Sequence, residues 1–343
     1  MPGTAGIDVH RPHRHPSPTI GPATPVRLDH PPPTLDGVRT AVPSPAAAIA
    51  EAEWVARDAA HRARVDRWVV PHQERRRAGR TDPVLDFLFT YYSHPPGRLR
   101  RWHPGAGGVL LGAAARDRLD WPFHAELPAV DAAGRATTGV GLDVPAFLGR
   151  RRDTVTRTAG LLAATAGRPA MFGCFGLHEW AMAYRPEDGA VRHDAVPLRL
   201  GVEGTAAVVE GHRVQCSHVD AFRFFTPRAR PLNTLQPTRE TQVALEQPGC
   251  LHATMDLYKW AYKLVPLVAS DLVARCFELA RDVRLLDMQA SPYDLAALGY
   301  PPVRIETVEG KAEYVAGQRA FAERGAELRA RLLAVCNDLL AAG

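Results

Sequence analysis

Near the C-terminus, Tyr314, Phe321, Leu328, Leu332 and Val335 recur at heptad-like spacing, which predicts one long helix over about residues 310 to 340. An apolar stripe of that kind has to be buried against other elements, and helical periodicity elsewhere supplies them. After Ser44-Pro45, suited to an N-cap and first helical position, the run AAAIAEAEWVARDAAHRARVDRWVV puts Trp54, His61, Val65 and Trp68 on one face, with Pro71 as its expected end. A short aromatic helix follows Asp82-Pro83, and Pro95-Pro96-Gly97 breaks it. Two helices are expected between about 143 and 185, and further ones at about 239–265 and 269–286. With 46% hydrophobic residues among 343, the chain can fill a substantial core.

Strand signals are few. The cluster GAGGVLLG, from Gly105, runs into an apolar stretch and lacks the Lys-Ser/Thr of a phosphate-binding P-loop, so it reads as a tight turn into a strand. Within 197–225, short apolar runs flank Glu210-Gly211 and suggest a hairpin. The expected fold is therefore mainly α, of the α+β class: one helical domain over 45–343 with a small antiparallel hairpin or sheet inserted at about 197–225. Residues 1–44, rich in Pro and His, have little apolar surface to offset ordering and read as a disordered tail.

No run of about 18 apolar residues occurs and the N-terminus lacks an apolar leader, which points to a cytoplasmic protein with no membrane partner. Five cysteines, Cys174, Cys216, Cys250, Cys276 and Cys336, are widely spaced without a C-x-x-C pair, so buried free thiols are expected in place of a zinc ribbon or disulfide framework. The net charge of +5 suits an anionic partner, but arginine carries nearly all of it, a skew that a GC-rich coding sequence also produces.

Three stretches set ionisable residues among aromatics. CFGLHEWAMAYR carries His178-Glu179, CSHVDAFRFF carries His218 and Asp220, and CLHATMDLYKWAYKL carries His252, Asp256 and Lys259. In the last, His252, Asp256, Lys259 and Lys263 form one helical stripe, either a solvated face with local ion pairs or a site in which Asp256 supports His252 and Lys259 adds fixed positive charge. Burying so many ionisable groups without partners is costly, and their repetition favours a shared pocket. Imidazoles with carboxylates suit iron, manganese or zinc, which makes His178, Glu179, His218, His252 and Asp256 candidate metal ligands for a metal-dependent enzyme of small-molecule metabolism, including a non-haem iron oxidase. The H-x3-D-x2-K spacing is similar to the H-x3-D-x2-H of some haem-oxygenase-like diiron oxidases, with Lys259 where a ligand histidine would stand. Of the later carboxylates, Asp287, beside Arg284 in an apolar context, is the one to test.

Six phrases, FLFTYYSHPPGRLRRWHPG, CFGLHEWAMAYR, CSHVDAFRFFTP, EQPGCLHATMDLYKWAYKL, LDMQASPYDLAALGYPPV and EGKAEYVAGQRAFAERGAELRARL, together resemble a bacterial family usually labelled 3-methyladenine DNA glycosylase. The resemblance covers about residues 46 to 335. It implies a DNA-repair hydrolase that flips an alkylated base out of DNA and stabilises an oxocarbenium-like sugar with a carboxylate, without a cofactor. On that view Glu179, Asp220 or Asp256 supplies the carboxylate and Lys259 a fixed charge. Trp180, Phe224, Phe225 and Trp260 would stack on the base, and Arg98, Arg100 and Arg101 would hold phosphates.

Overall fold

The computed structural model describes residues 46–186 and 196–342, and the tail expected to be disordered at 1–44 lies outside them. In chain order the elements are β1 (Ala46–Ile49), α1 (Glu51–Arg77), α2 (Phe87–Tyr91), α3 (Pro96–Leu99), β2 (Gly108–Leu110), β3 (His124–Val130), β4 (Ala136–Leu142), α4 (Val144–Ala166), α5 (Leu177–Met182), α6 (Gly201–Glu210), α7 (Val219–Phe222), α8 (Gln242–Leu245), α9 (Leu251–Met255), α10 (Leu257–Lys263), α11 (Ser270–Gln289) and α12 (Val308–Ala341). The fold is mainly α, of the α+β class, with 56% of the described residues helical and a small four-stranded mixed sheet. No helix among the described residues is long and apolar enough to cross a membrane.

The long C-terminal helix forms as its spacing predicts. Tyr314, Leu328 and Leu332 are buried, Phe321 and Val335 pack at the edge of the main core, and α12 lies against α4 and α11. Thr307 caps it by accepting from the Gly310 N–H at 3.1 Å. Gly310 has to be glycine, because a Cβ there would sit 2.0 Å from the Arg304 carbonyl oxygen.

Three local expectations need correction. First, α1 begins at Glu51, not after Ser44-Pro45: Ala47–Ile49 pair in parallel with Gly108–Leu110, and Ala46 and Ala47 pair in parallel with Ala129 and Val130. The backbone pairing on both sides outweighs the helix preference of the alanines. Pro71 does not stop this helix, which runs on to Arg77 with its last turns tied to Asp86 by His72 and Arg75.

Second, the small sheet does not lie at 197–225. There α6 buries Thr205, Ala206, Val208 and Val209 on one helical face, and Glu210-Gly211 is the helix end, Gly211 donating to the Ala207 oxygen at 2.9 Å, not a hairpin turn. The sheet is closed in the order β1-β2-β4-β3, with β3 and β4 antiparallel from His124↔Leu142 to Val130↔Ala136. Trp54, Trp102, Leu110 and Val140 form its own small core. The turn at Gly105 leads into β2 as expected.

Third, the helix expected at 239–265 is three short ones. Pro248-Gly249 separates α8 from α9, and the chain kinks again at Asp256 between α9 and α10. Gln247 holds the first break by accepting from Met171 N at 2.8 Å and Gly249 N at 2.7 Å, while Gln318 on α12 donates to the Gly249 oxygen at 2.6 Å. These breaks turn His252 and Asp256 into the interior.

Candidate metal centre

Gly176, at φ 69°, turns the chain into α5 against the Tyr314 ring and so delivers His178 and Glu179 to the core. His218 stands at the N-cap of α7, and His252 in the first turn of α9. The three histidines meet: the His178 and His252 rings lie edge to face with centroids 4.4 Å apart, and His218 and His252 stack at 5.2 Å. All three are at most 7% exposed. The stripe His252, Asp256, Lys259 is therefore not a solvated face.

On one side of the cluster, His178 Nε2 lies 2.8 Å from Asp287 Oδ1 on α11, and Arg284 holds the other carboxylate oxygen at 3.2 Å. The same guanidinium nitrogen donates to Glu179 Oε1 at 2.8 Å, with the Arg284 plane over the Phe87 ring. Adjacent residues on a helix point about 100° apart. His178 accordingly faces His252, and Glu179 turns to Arg284. Burial works against the Asp287 charge, but His178, which Asp287 in turn holds well above the ordinary imidazole value, and Arg284 more than offset it and hold the carboxyl well below the usual range. Burial and the neighbouring His178 push His252 well below the ordinary imidazole value, so it is neutral with a lone pair to offer.

On the other side, Asp256 is almost fully enclosed and has its own partners. Lys259 Nζ donates to Asp256 Oδ2 at 2.6 Å and to Asp220 Oδ2 at 2.9 Å, Tyr92 donates to Asp256 Oδ1 at 2.8 Å, and His218 Nε2 lies 3.4 Å from Asp256 Oδ2. Burial opposes ionisation of Asp256, yet Lys259 and His218 hold it far below the carboxylate range; Asp256 and Asp220 raise Lys259 in turn, against its own burial. His218 also faces Glu246 at 3.5 Å, and burial pushes that carboxyl up.

Among the described residues, one group offers ligand atoms that all lie within 4.8 Å of one another: His178, His252 and Asp287. Of the five ligands expected from the sequence, His178 and His252 belong to it, while Glu179, His218 and Asp256 lie in the surrounding ion-pair network. A small cavity of ≈ 10 Å³, room for about one water, borders His178 and His252. Cys174, Cys216 and Cys250 line it, and Cys174 Sγ lies 3.9 Å from His178 Nδ1. Burial pushes the Cys250 and Cys216 thiols well up, so they stay protonated.

The residues expected to stack on a base are placed variously. Trp180 is fully buried with its indole N–H donating to the Ala290 oxygen at 2.8 Å, and Phe225 is buried in the core. Phe224 is exposed beneath Arg223, and Trp260 is half-buried beneath Lys259 and Lys263. Arg100 is committed to Asp66 and Gln73, whereas Arg98 and Arg101 are exposed. Glu246, Tyr92 and Arg239, which pairs with Asp220, are site residues that sequence reasoning passed over. Asp287 was the one later carboxylate whose apolar setting gave it away. No family model, curated protein or solved structure matches this chain.

Proposed function

We propose that this chain is a cytoplasmic, metal-dependent enzyme of small-molecule metabolism whose metal ion is held by His178, His252 and Asp287. The observation that carries the reading is the convergence of these three ligand atoms within 4.8 Å in a buried site. Two imidazoles and one carboxylate leave coordination positions free, the donor set of non-haem iron(II) oxygenases, and manganese or zinc also suits it. An iron(II) ion held there would supply one-electron chemistry and a place for dioxygen to react. Asp287 holds the His178 imidazole well above its ordinary value, so a metal ion would take the place of that proton; without it, Asp287 (−1), Glu179 (−1) and Arg284 (+1) sum to −1. Arg284 orients Asp287 from outside the ligand set, as surrounding hydrogen bonds do at metal centres. His178 presents its other nitrogen to Cys174. The five cysteines are free thiols, in keeping with a reducing compartment.

A ligand that binds only the folded state stabilises it by about 2.7 kcal/mol at a hundredfold excess over Kd. Metal-depleted full-length protein is therefore expected to melt several degrees higher with iron(II), manganese(II) or zinc(II), and His252→Asn to lose that shift. An equal shift in His252→Asn, or none with any of the three metals, removes this reading.

A second reading is the alkylated-base N-glycosylase that the family resemblance implies, with DNA as partner. What favours it is the ionised state in which Lys259 and His218 hold Asp256, the charge needed opposite an oxocarbenium-like sugar. It predicts release of methylated purine from alkylated duplex DNA, lost in Asp256→Asn and insensitive to chelators. Chelator-sensitive release would rule out that mechanism.

A further inference from the structure

Away from the histidine cluster, a cleft of ≈ 390 Å³ gathers arginines from separate parts of the chain. Arg98 comes from α3, Arg101 from the loop after it, and Arg150 and Arg151 from α4. All four are exposed, and among the described residues none forms an ion pair with a carboxylate. No Asp or Glu lines the cleft. Arg64, Arg75, Arg100, Arg199 and Arg284, by contrast, are each paired with acids. Four like charges facing one space repel one another, and an anion relieves this.

The wall of the cleft carries an independent sign of a ligand. His103 is 5% exposed and its Nδ1 has no hydrogen-bond partner, and His124 Nε2 is likewise buried without one. Both rings line the cleft. His124 Nδ1 lies 3.1 Å from the Pro122 oxygen and so carries the proton, which leaves Nε2 as an acceptor for a ligand hydroxyl. Burial, with His124 and Arg118 beside it, lowers His103 to about 3, so it too is neutral. Trp121, Phe123 and Pro266 add apolar surface beside the charges.

We propose that this cleft binds a small organic phosphate ester, its phosphate gripped by Arg98, Arg101, Arg150 and Arg151 and its hydroxyl-bearing organic part lying against His103, His124 and the aromatic wall. Guanidinium forks match phosphate oxygens in geometry as well as charge. A volume of ≈ 390 Å³ suits a sugar phosphate or mononucleotide and lies within the ordinary range of small-molecule sites. The inference stands independently of the metal centre, because none of its residues belongs to that cluster.

Calorimetric titration of the full-length protein with ribose 5-phosphate, AMP, inorganic phosphate, ribose and a short duplex DNA tests it. One of the two esters is expected to bind with a stoichiometry near one, about tenfold or more tighter than inorganic phosphate, while ribose does not bind. Ribose 5-phosphate binding as well as AMP assigns the organic part to the sugar, and AMP binding alone assigns it to the base. Arg98→Glu and Arg150→Glu are each expected to weaken the ester about tenfold or more, whereas reversal of the exposed Arg77, outside the cleft, leaves affinity unchanged. Four outcomes overturn the proposal: no binding of either ester, inorganic phosphate binding as tightly, duplex DNA binding where the esters do not, or Arg77→Glu weakening binding as much as the cleft variants. The milder Arg150→Gln guards against a folding defect, since it removes the charge without reversing it.

Discussion

Replacing Arg284 with leucine is expected to destabilise the fold by about 3–5 kcal/mol, because it strands the buried Glu179 carboxylate and leaves Asp287 with His178 alone. Arg284 is 1% exposed and one of its nitrogens serves both Glu179 and Asp287, which water cannot reach to solvate in its place. Arg284→Lys keeps the charge but loses the planar contact with Phe87 and the donor fork, so it should fall between wild type and Arg284→Leu. Adding Glu179→Gln to Arg284→Leu should restore part of the loss by removing the stranded charge. Denaturant unfolding of the four proteins measures this. A near-wild-type Arg284→Leu would mean that Glu179 and Asp287 do not depend on the guanidinium.

Lys259→Met is expected to cost a similar amount, about 3–5 kcal/mol at neutral pH, and its cost should depend on pH. In the wild type the depressed pKa of Asp256 contributes stability that is present above the unfolded value of about 3.9 and lost as pH falls below it. Without Lys259, burial raises the Asp256 carboxyl, and a raised carboxyl is stabilising in its protonated form, toward low pH. The gap between wild type and Lys259→Met should thus narrow between pH 7 and pH 5. A gap that stays constant over that interval would show that Asp256 gains nothing from Lys259 beyond packing.

The helices were legible where one face alone had to be apolar. The stripe of α12 and the Trp54, His61, Val65, Trp68 face of α1 follow from local periodicity, and both pack against the interior, with Trp68, Phe321 and Val335 half-buried at its edge. The sheet was not legible, since the short apolar run of α6 reads equally well as strand, while β1 is an alanine-rich segment that only non-local pairing makes extended. The same division holds at the site. Repetition of histidine beside carboxylate located His178, His218 and His252, but which acid faces which imidazole depends on the turns at Gly176, Pro248-Gly249 and Asp256. Asp287 reaches His178 across more than a hundred residues of sequence, and only its odd apolar setting next to Arg284 hinted at it. Trp180 and Arg100 show the converse: residue types suited to stacking and to phosphate, already occupied by Ala290 and Asp66.

The measurement that bears most directly on the metal centre is elemental analysis of full-length protein expressed with iron, manganese and zinc supplied, set beside Asp287→Asn prepared identically. The wild type is expected to carry about one equivalent of one of these metals, bound by three protein ligands, and Asp287→Asn to lose about 10- to 100-fold in affinity or more while remaining folded. Wild-type protein free of metal after such expression, or Asp287→Asn retaining a full equivalent, would contradict the assignment of His178, His252 and Asp287 as its ligands.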